Sequence, residues 1–247
     1  MEQCRIFIQQ TIQQHQETFD EENPRDFIDK FLIASKDDPR LFNEEQLLFC
    51  CLDLFIGGSE TTSKSLMFAL LMTIKNPRIQ DKVRQEIEDV TEGRDFVGMA
   101  DRDHLHYTEA VINEVWRYCT IIGVPPPRNI SCPVKINNMN IAKDTPYFSN
   151  IYSVHMDADY WKDPEVFRPE RFIIDGKFKA DERNIPFGIG KRRCIGESLA
   201  RMENFLIFAN LIKHFKFASE DGVELVTRPV PGLTNSPQPF KMKIEAI

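Results

Sequence analysis

Positive charge is in short supply in this 247-residue chain. Its 31 lysines and arginines stand against 38 aspartates and glutamates, leaving a formal net charge of −7. Phosphate backbones are gripped by clustered positive charge, so no nucleic-acid partner is expected. Long apolar runs are missing too. The most apolar stretch, residues 47–56, contains Asp53 and falls well short of the about 20 apolar residues a membrane span needs. The first fifteen residues are polar, with Glu2, Arg5 and several glutamines, which is not the pattern of a secretory signal peptide. No C-x-x-C pair occurs among the six cysteines, Cys4, Cys50, Cys51, Cys119, Cys132 and Cys194. The chain is also long for a disulfide-stapled scaffold, so reduced thiols are the expectation. No internal repeat or low-complexity tract stands out.

Enough apolar material is present to build a core: 42% of residues are hydrophobic and 28% charged, which suits one large domain or two small ones. Helical periodicity dominates. Asn43 is placed as an N-cap, with Glu44 and Glu45 in the first turn, and Asn76-Pro77 stops the pattern that follows. The result is a helix of roughly 32 residues and about 48 Å, long enough to cross most of its domain. Ile79, Val83, Ile87 and Val90 line one face of the next helix, and residues 108–120 form a third. Alternation and turn residues over 134–148 predict short strands or hairpins. Residues 175–186 read as an ordered loop, about 195–214 as a last helix, and 240–244 as a strand. The fold class expected is mainly α with minor β.

Three patterns carry chemistry. In Phe187-Gly188-Ile189-Gly190-Lys191-Arg192-Arg193-Cys194-Ile195-Gly196, a cysteine sits at the mouth of a helix. The helix dipole, free N–H groups and neighbouring cations favour a sulfur anion there. Gly188, Gly190 and Gly196 would let the backbone approach a flat ligand. For a lone cysteine, a buried or merely reactive thiol would be the better reading. Glu114 and Arg117 lie three apart on one helix face, a spacing that by itself often marks a weak surface pair. Gly57-Gly58-Ser59-Glu60-Thr61-Thr62 interrupts the long helix with two glycines that cost about 1 kcal/mol each. A kink, a bulge or a close ligand would each explain them.

Together these segments resemble the cytochrome P-450 family. The cysteine segment fits F-x-x-G-x-R-x-C-x-G, a chance match on the order of one in ten thousand. Glu114-x-x-Arg117 is similar to the family's E-x-x-R helix, Pro169-Glu170-Arg171-Phe172 to its P-E-R-F stretch, and Gly57-Gly58-x-x-Thr61 to its [A/G]-G-x-x-T motif. Residues 23–27, 152–157 and 232–234 look closest to animal microsomal members. The resemblance implies haem b (iron protoporphyrin IX) as cofactor, with Cys194 as the metal ligand. Arg192 would meet a propionate, and Phe187, Gly188, Gly190 and Gly196 would back the ring. Glu60 and Thr61 would be catalytic, relaying protons during dioxygen activation. Glu114, Arg117 and Arg171 would form a structural charge network. Substrate would be met near residues 54–61, 121–125 and 233–234, which are mostly apolar.

The implied activity is a haem-thiolate monooxygenase. It would insert one oxygen atom from O2 into a hydrophobic small molecule (lipid, hormone or xenobiotic), with electrons from NADPH through a reductase. The implied place is the cytoplasmic face of the endoplasmic reticulum membrane. Two alternatives stay open: a haem-thiolate isomerase that does not use O2, and a truncated, non-catalytic haem-binding fragment. Family members are about twice as long, so residues 1–247 are expected to be a single, N-terminally truncated domain. The anchor, part of the substrate cavity's cover and one propionate-binding helix would lie outside it. Pro125-Pro126-Pro127-Arg128 departs from the family's P-H/R pattern.

Overall fold

Asn43 begins the longest helix by turning its side chain inward on it. Its Oδ1 accepts the Gln46 N–H at 2.9 Å, and its carbonyl accepts the Leu47 N–H at 3.0 Å. A computed structural model describes residues 2–220 and 223–247. The chain forms two units, residues 1–60 and 61–247.

The first unit holds α1 (Glu2–Glu17), α2 (Phe27–Asp37) and the opening part of α3 (Glu44–Lys75). Ile8, Ile12, Ile28, Phe31, Leu47, Leu48 and Leu52 are buried together in its core. Beside them Asp29, fully buried, accepts bonds from Arg25 Nε (2.6 Å) and the Arg25 N–H (2.9 Å), and lies 3.0 Å from His15 Nδ1. Arg25 Nη2 donates to its other oxygen (2.9 Å), and a carboxylate out of water survives because both oxygens are bonded in this way.

The second unit continues α3 and adds α4 (Pro77–Thr91), α5 (His106–Cys119), the short α6 (Ile151–His155) and α7 (Ala158–Trp161), and α8 (Glu197–His214). Pro77 stands at the first position of α4, where its missing N–H costs nothing. The Asn76 carbonyl accepts the Ile79 N–H at the start of α4 (2.8 Å), but its side chain makes no capping bond there. Its side chain turns back and donates to the Met72 carbonyl at the end of α3 (2.8 Å). The core packs α3, α4, α5 and α8 through Phe68, Leu71, Val83, Ile87, Val111, Val115, Phe205 and Phe208.

Strands are a minor part. Among the described residues they form four two-stranded antiparallel sheets. These pair β1 (Arg128–Asn129) with β4 (Pro146–Tyr147), β2 (Val134–Ile136) with β3 (Met139–Ile141), β5 (Ile173–Ile174) with β6 (Lys177–Phe178), and β7 (Phe215–Ser219) with β8 (Met242–Ala246). The fold is thus mainly α with minor β. The stretch 175–186 is not all loop: β5 and β6 turn at Asp175-Gly176, both with positive φ. Among the described residues, no helix is long and apolar enough to cross a membrane.

The expected interruption of α3 at Gly57-Gly58 is not seen. Helix continues from Glu44 through Lys75. Glycine can hold helical dihedrals at an entropic cost, and that cost is spread over a long, packed helix. A Cβ at either glycine would meet nothing within 4 Å, so open space lies beside both.

Candidate functional site

The loop before α8 is closed by its own backbone. The Cys194 N–H donates to the Phe187 carbonyl (2.9 Å), the Arg193 N–H to Gly190 O (3.1 Å), and the Gly188 N–H to Ile185 O (3.0 Å). Gly188 and Gly190 sit at φ +73° and +74°, where a side chain would be strained. Their first reason for being glycine is therefore conformational. A Cβ on either would meet nothing within 4 Å. Helix α8 starts at Glu197 with Gly196 as its cap, so Cys194 lies just ahead of the helix mouth. Its sulfur is exposed, and a Cβ on Gly196 would stand 3.9 Å from it. Among the described residues, no donor reaches that sulfur. The Glu197 N–H at the start of the helix donates to the Cys194 carbonyl instead (3.4 Å).

Behind the loop stands a scaffold that the motifs do not mention. The Phe187 ring meets Trp116 of α5 edge-on, with centroids 5.3 Å apart. The Arg201 guanidinium lies 4.8 Å from the Trp116 centroid and 5.0 Å from that of Phe187. Glu197 holds this arginine (2.9 Å) and pairs with Arg193 (3.0 Å). Trp116 Nε1 donates to Ser65 Oγ of α3 at 2.8 Å, deep in the core. Phe187 is thus a wedge turned inward as much as part of a ligand surface. Glu197 and Arg201 had a local signal, their i,i+4 spacing. The Trp116 contacts span 51 residues to Ser65 and had none. A cavity of about 230 Å³ lies along this same loop, with Asn184, Phe187, Gly188, Arg193, Glu197 and Arg201 on its wall.

The charge network lies beneath. Glu114 and Arg117 are both fully buried. Arg117 Nε donates to Glu114 Oε2 (2.7 Å) and Nη2 to Oε1 (2.8 Å). Glu114 Oε1 also accepts from Arg171 Nε (3.0 Å) and from the Arg168 N–H (2.8 Å). The remaining arginine donors end on carbonyls: Arg117 on His155 and Pro164, and Arg171 on Trp161, Asp163 and Val166. One carboxylate so gathers α5, the 3-10 turn Pro169–Phe172 and the loop before it.

His155 completes this wall. The Ile185 N–H donates to its Nε2 at 3.0 Å, which leaves the ring proton on Nδ1, 3.0 Å from Thr120 Oγ1. Thr120 Oγ1 in turn donates to the Arg117 carbonyl (2.7 Å). Burial, with the nearby Arg117 charge, pushes the imidazole down to about 4, so it is neutral at neutral pH.

On α3, Glu60 is exposed and is the last residue of the first unit, while Thr61 is half-buried and opens the second. Within the second unit the helix is tied by the residues that follow. Thr62 Oγ1 donates to Glu203 of α8 (3.3 Å), Lys64 Nζ to Thr234 Oγ1 (2.6 Å), and Ser65 accepts from Trp116.

The groups around Cys194 suit a haem. A single soft sulfur donor is bared on a loop whose backbone is already fixed. Its neighbours Ile195 and Ile189 are 93% and 71% exposed, an apolar surface that a flat hydrophobic ring would cover. Arg192 is exposed and, among the described residues, has no hydrogen-bond or ion-pair partner, as a propionate-binding cation requires. Arg193, by contrast, is engaged by Glu197.

Comparison with known proteins agrees with this geometry. The family model described as "Cytochrome P450" matches residues 1–244. The chain is 38% identical to cytochrome P450 2J5 of Mus musculus over 241 residues, covering 96% of this chain and 48% of that protein. It is 40% identical to cytochrome P450 2U1 of Homo sapiens over 245 residues, covering 96% and 45%. It is also 40% identical to cytochrome P450 2K6 of Danio rerio over 235 residues, covering 91% and 46%. The chain spans about half the length of these curated relatives. With a family match over nearly every residue and a cysteine loop shaped as described, the chain belongs to the cytochrome P450 family.

Proposed function

We propose that the chain is the haem-thiolate part of a monooxygenase that acts on hydrophobic small molecules. The observation that supports this most directly is the bared Cys194 sulfur on a loop closed by the Cys194–Phe187 backbone bond and backed by Trp116 and Arg201. Residues 1–247 would form part of one larger domain.

In this reading Cys194 Sγ holds the haem iron as a thiolate. Arg192 meets a propionate, and the backbone at Gly188, Gly190 and Gly196 carries the loop past the ring. A thiolate-held haem supplies reductive activation of dioxygen when bound. The chain's own residues do the rest. Glu197 holds Arg201 against Trp116 and Phe187, so the loop cannot sag away from its ligand. Thr61 Oγ1 would hold a proton for the reaction, and the exposed Glu60 carboxyl would replenish it. Apolar side chains at Ile121, Val124 and Leu233 suit a hydrophobic substrate and exclude water from it. Electrons would come from NADPH through a reductase at the endoplasmic reticulum membrane, as the relatives' class suggests.

The test is isotopic. The haem-loaded chain with reductase and NADPH should transfer one atom of labelled dioxygen into product, and Cys194→Ala should abolish transfer. Product formed without label from dioxygen would instead support the isomerase reading.

A further inference from the structure

The end of the chain makes a tight turn over residues 230–236. The Val230 N–H donates to Ser236 O (2.7 Å) and the Ser236 N–H to Val230 O (3.0 Å), closing its base. Its tip is compressed: a Cβ on Gly232 would stand 3.0 Å from the Thr234 carbonyl, so a side chain there would push on that oxygen. One flank is pinned by Asn235. Its N–H donates to Ile121 O (2.7 Å) and its Nδ2 to Thr120 O (2.8 Å). The tip is pinned by Lys64 of α3, whose ammonium donates to Thr234 Oγ1 at 2.6 Å and to Thr234 O at 3.3 Å. Beside these contacts Leu233 stands out, 69% exposed.

Lys64 lies three residues beyond Thr61, on the same face of the helix. Its bonds to Thr234 therefore anchor the turn next to that face. A charge-assisted bond from a half-buried ammonium holds more firmly than a neutral one.

We propose that Lys64 is a positioning residue that sets substrate selectivity, by fixing the 230–236 turn so that Leu233 forms a wall beside the Thr61 face of α3. The anchoring stands on the hydrogen bonds alone. The effect on selectivity rests on the monooxygenase reading, and the ligand class concerned is an apolar molecule whose chain length the wall limits.

The experiment compares the haem-loaded chain with Lys64→Met, which keeps the stem and removes the ammonium, and with Lys64→Arg. Hydrogen exchange of peptides covering 230–236 should quicken about tenfold in Lys64→Met and return in Lys64→Arg, while peptides covering 114–117 stay unchanged. With reductase, NADPH and neutral 7-alkoxycoumarins from methoxy to pentoxy, Lys64→Met should shift the kcat/KM ranking toward longer chains by about fivefold, mostly through KM. Equal exchange in the two proteins would overturn the anchoring. Faster exchange with an unchanged ranking would overturn the selectivity role. If the unmutated chain turns over none of the probes, the monooxygenase reading fails separately. The ranking is then taken from dissociation constants of the same coumarins, and no change between variants would again overturn the proposal.

Discussion

The backbone N–H of Cys194 donates to the carbonyl of Phe187 at 2.9 Å, so the sulfur is placed by the residue whose ring is wedged against Trp116. Cutting back that ring should loosen the loop without touching the sulfur. Truncating a core phenylalanine removes about 3–5 kcal/mol, and a half-buried one about half as much. Phe187→Ala should therefore lower unfolding free energy by about 2 kcal/mol in urea titration. Haem affinity should fall about tenfold by absorbance titration, as for other groups that support a metal ligand. Unchanged haem affinity would mean the ring does not position Cys194.

Glu114 is the one carboxylate shared by two arginines, one of them fully buried. Glu114→Gln keeps the shape but leaves the Arg117 charge uncompensated, which costs about 3–5 kcal/mol. The surface pair Arg168–Asp163, with both side chains about half exposed, gives the contrast. Asp163→Asn should change stability by less than about 1 kcal/mol. Similar losses from the two substitutions would contradict the network's structural role.

His155 makes stability depend on pH in a definite direction. Its folded value, about 4, lies below the ordinary 6.5, so the unfolded chain binds the proton more readily. Stability is thus level above about pH 6.5 and declines as pH falls toward 4, by about 3 kcal/mol in all. Denaturant titrations between pH 7 and 5 should show about half of that fall in the native sequence. His155→Asn should be less stable at pH 7 yet flatter over the same window. An equally steep decline in the variant would assign the effect elsewhere.

Thr61→Ala should uncouple oxygen use from product. Dioxygen and NADPH consumption should continue within about threefold, product should fall about tenfold, and hydrogen peroxide should rise to match. Coupling equal to the unmutated chain would remove Thr61 from proton delivery.

Local signals made α3 legible at both ends. Asn43 offered a cap, and Asn76-Pro77 offered both the stop of α3 and the start of α4. The cysteine loop was legible through its resemblance to the family pattern, since a lone cysteine before a helix reads first as a free thiol. Glu114, Arg117 and Arg171 could be picked out only through resemblance, since no spacing rule links residues 57 apart. The helices α6 and α7 were not foreseen, being a turn or so each and too short to show a period. The Trp116–Ser65 and Ile185–His155 bonds escaped for a related reason: each joins residues far apart in sequence. The glycine pair in α3 misled, because local propensity favours a break where a long helix holds.

The central claim is that Cys194 gives a thiolate to haem iron. Its most direct measurement is the absorbance difference spectrum of the haem-loaded, dithionite-reduced chain with and without carbon monoxide. A Soret band at the long wavelength for which the family is named, absent in Cys194→Ala, is the result expected. No such band in the unmutated chain, or the same band in Cys194→Ala, would contradict the assignment.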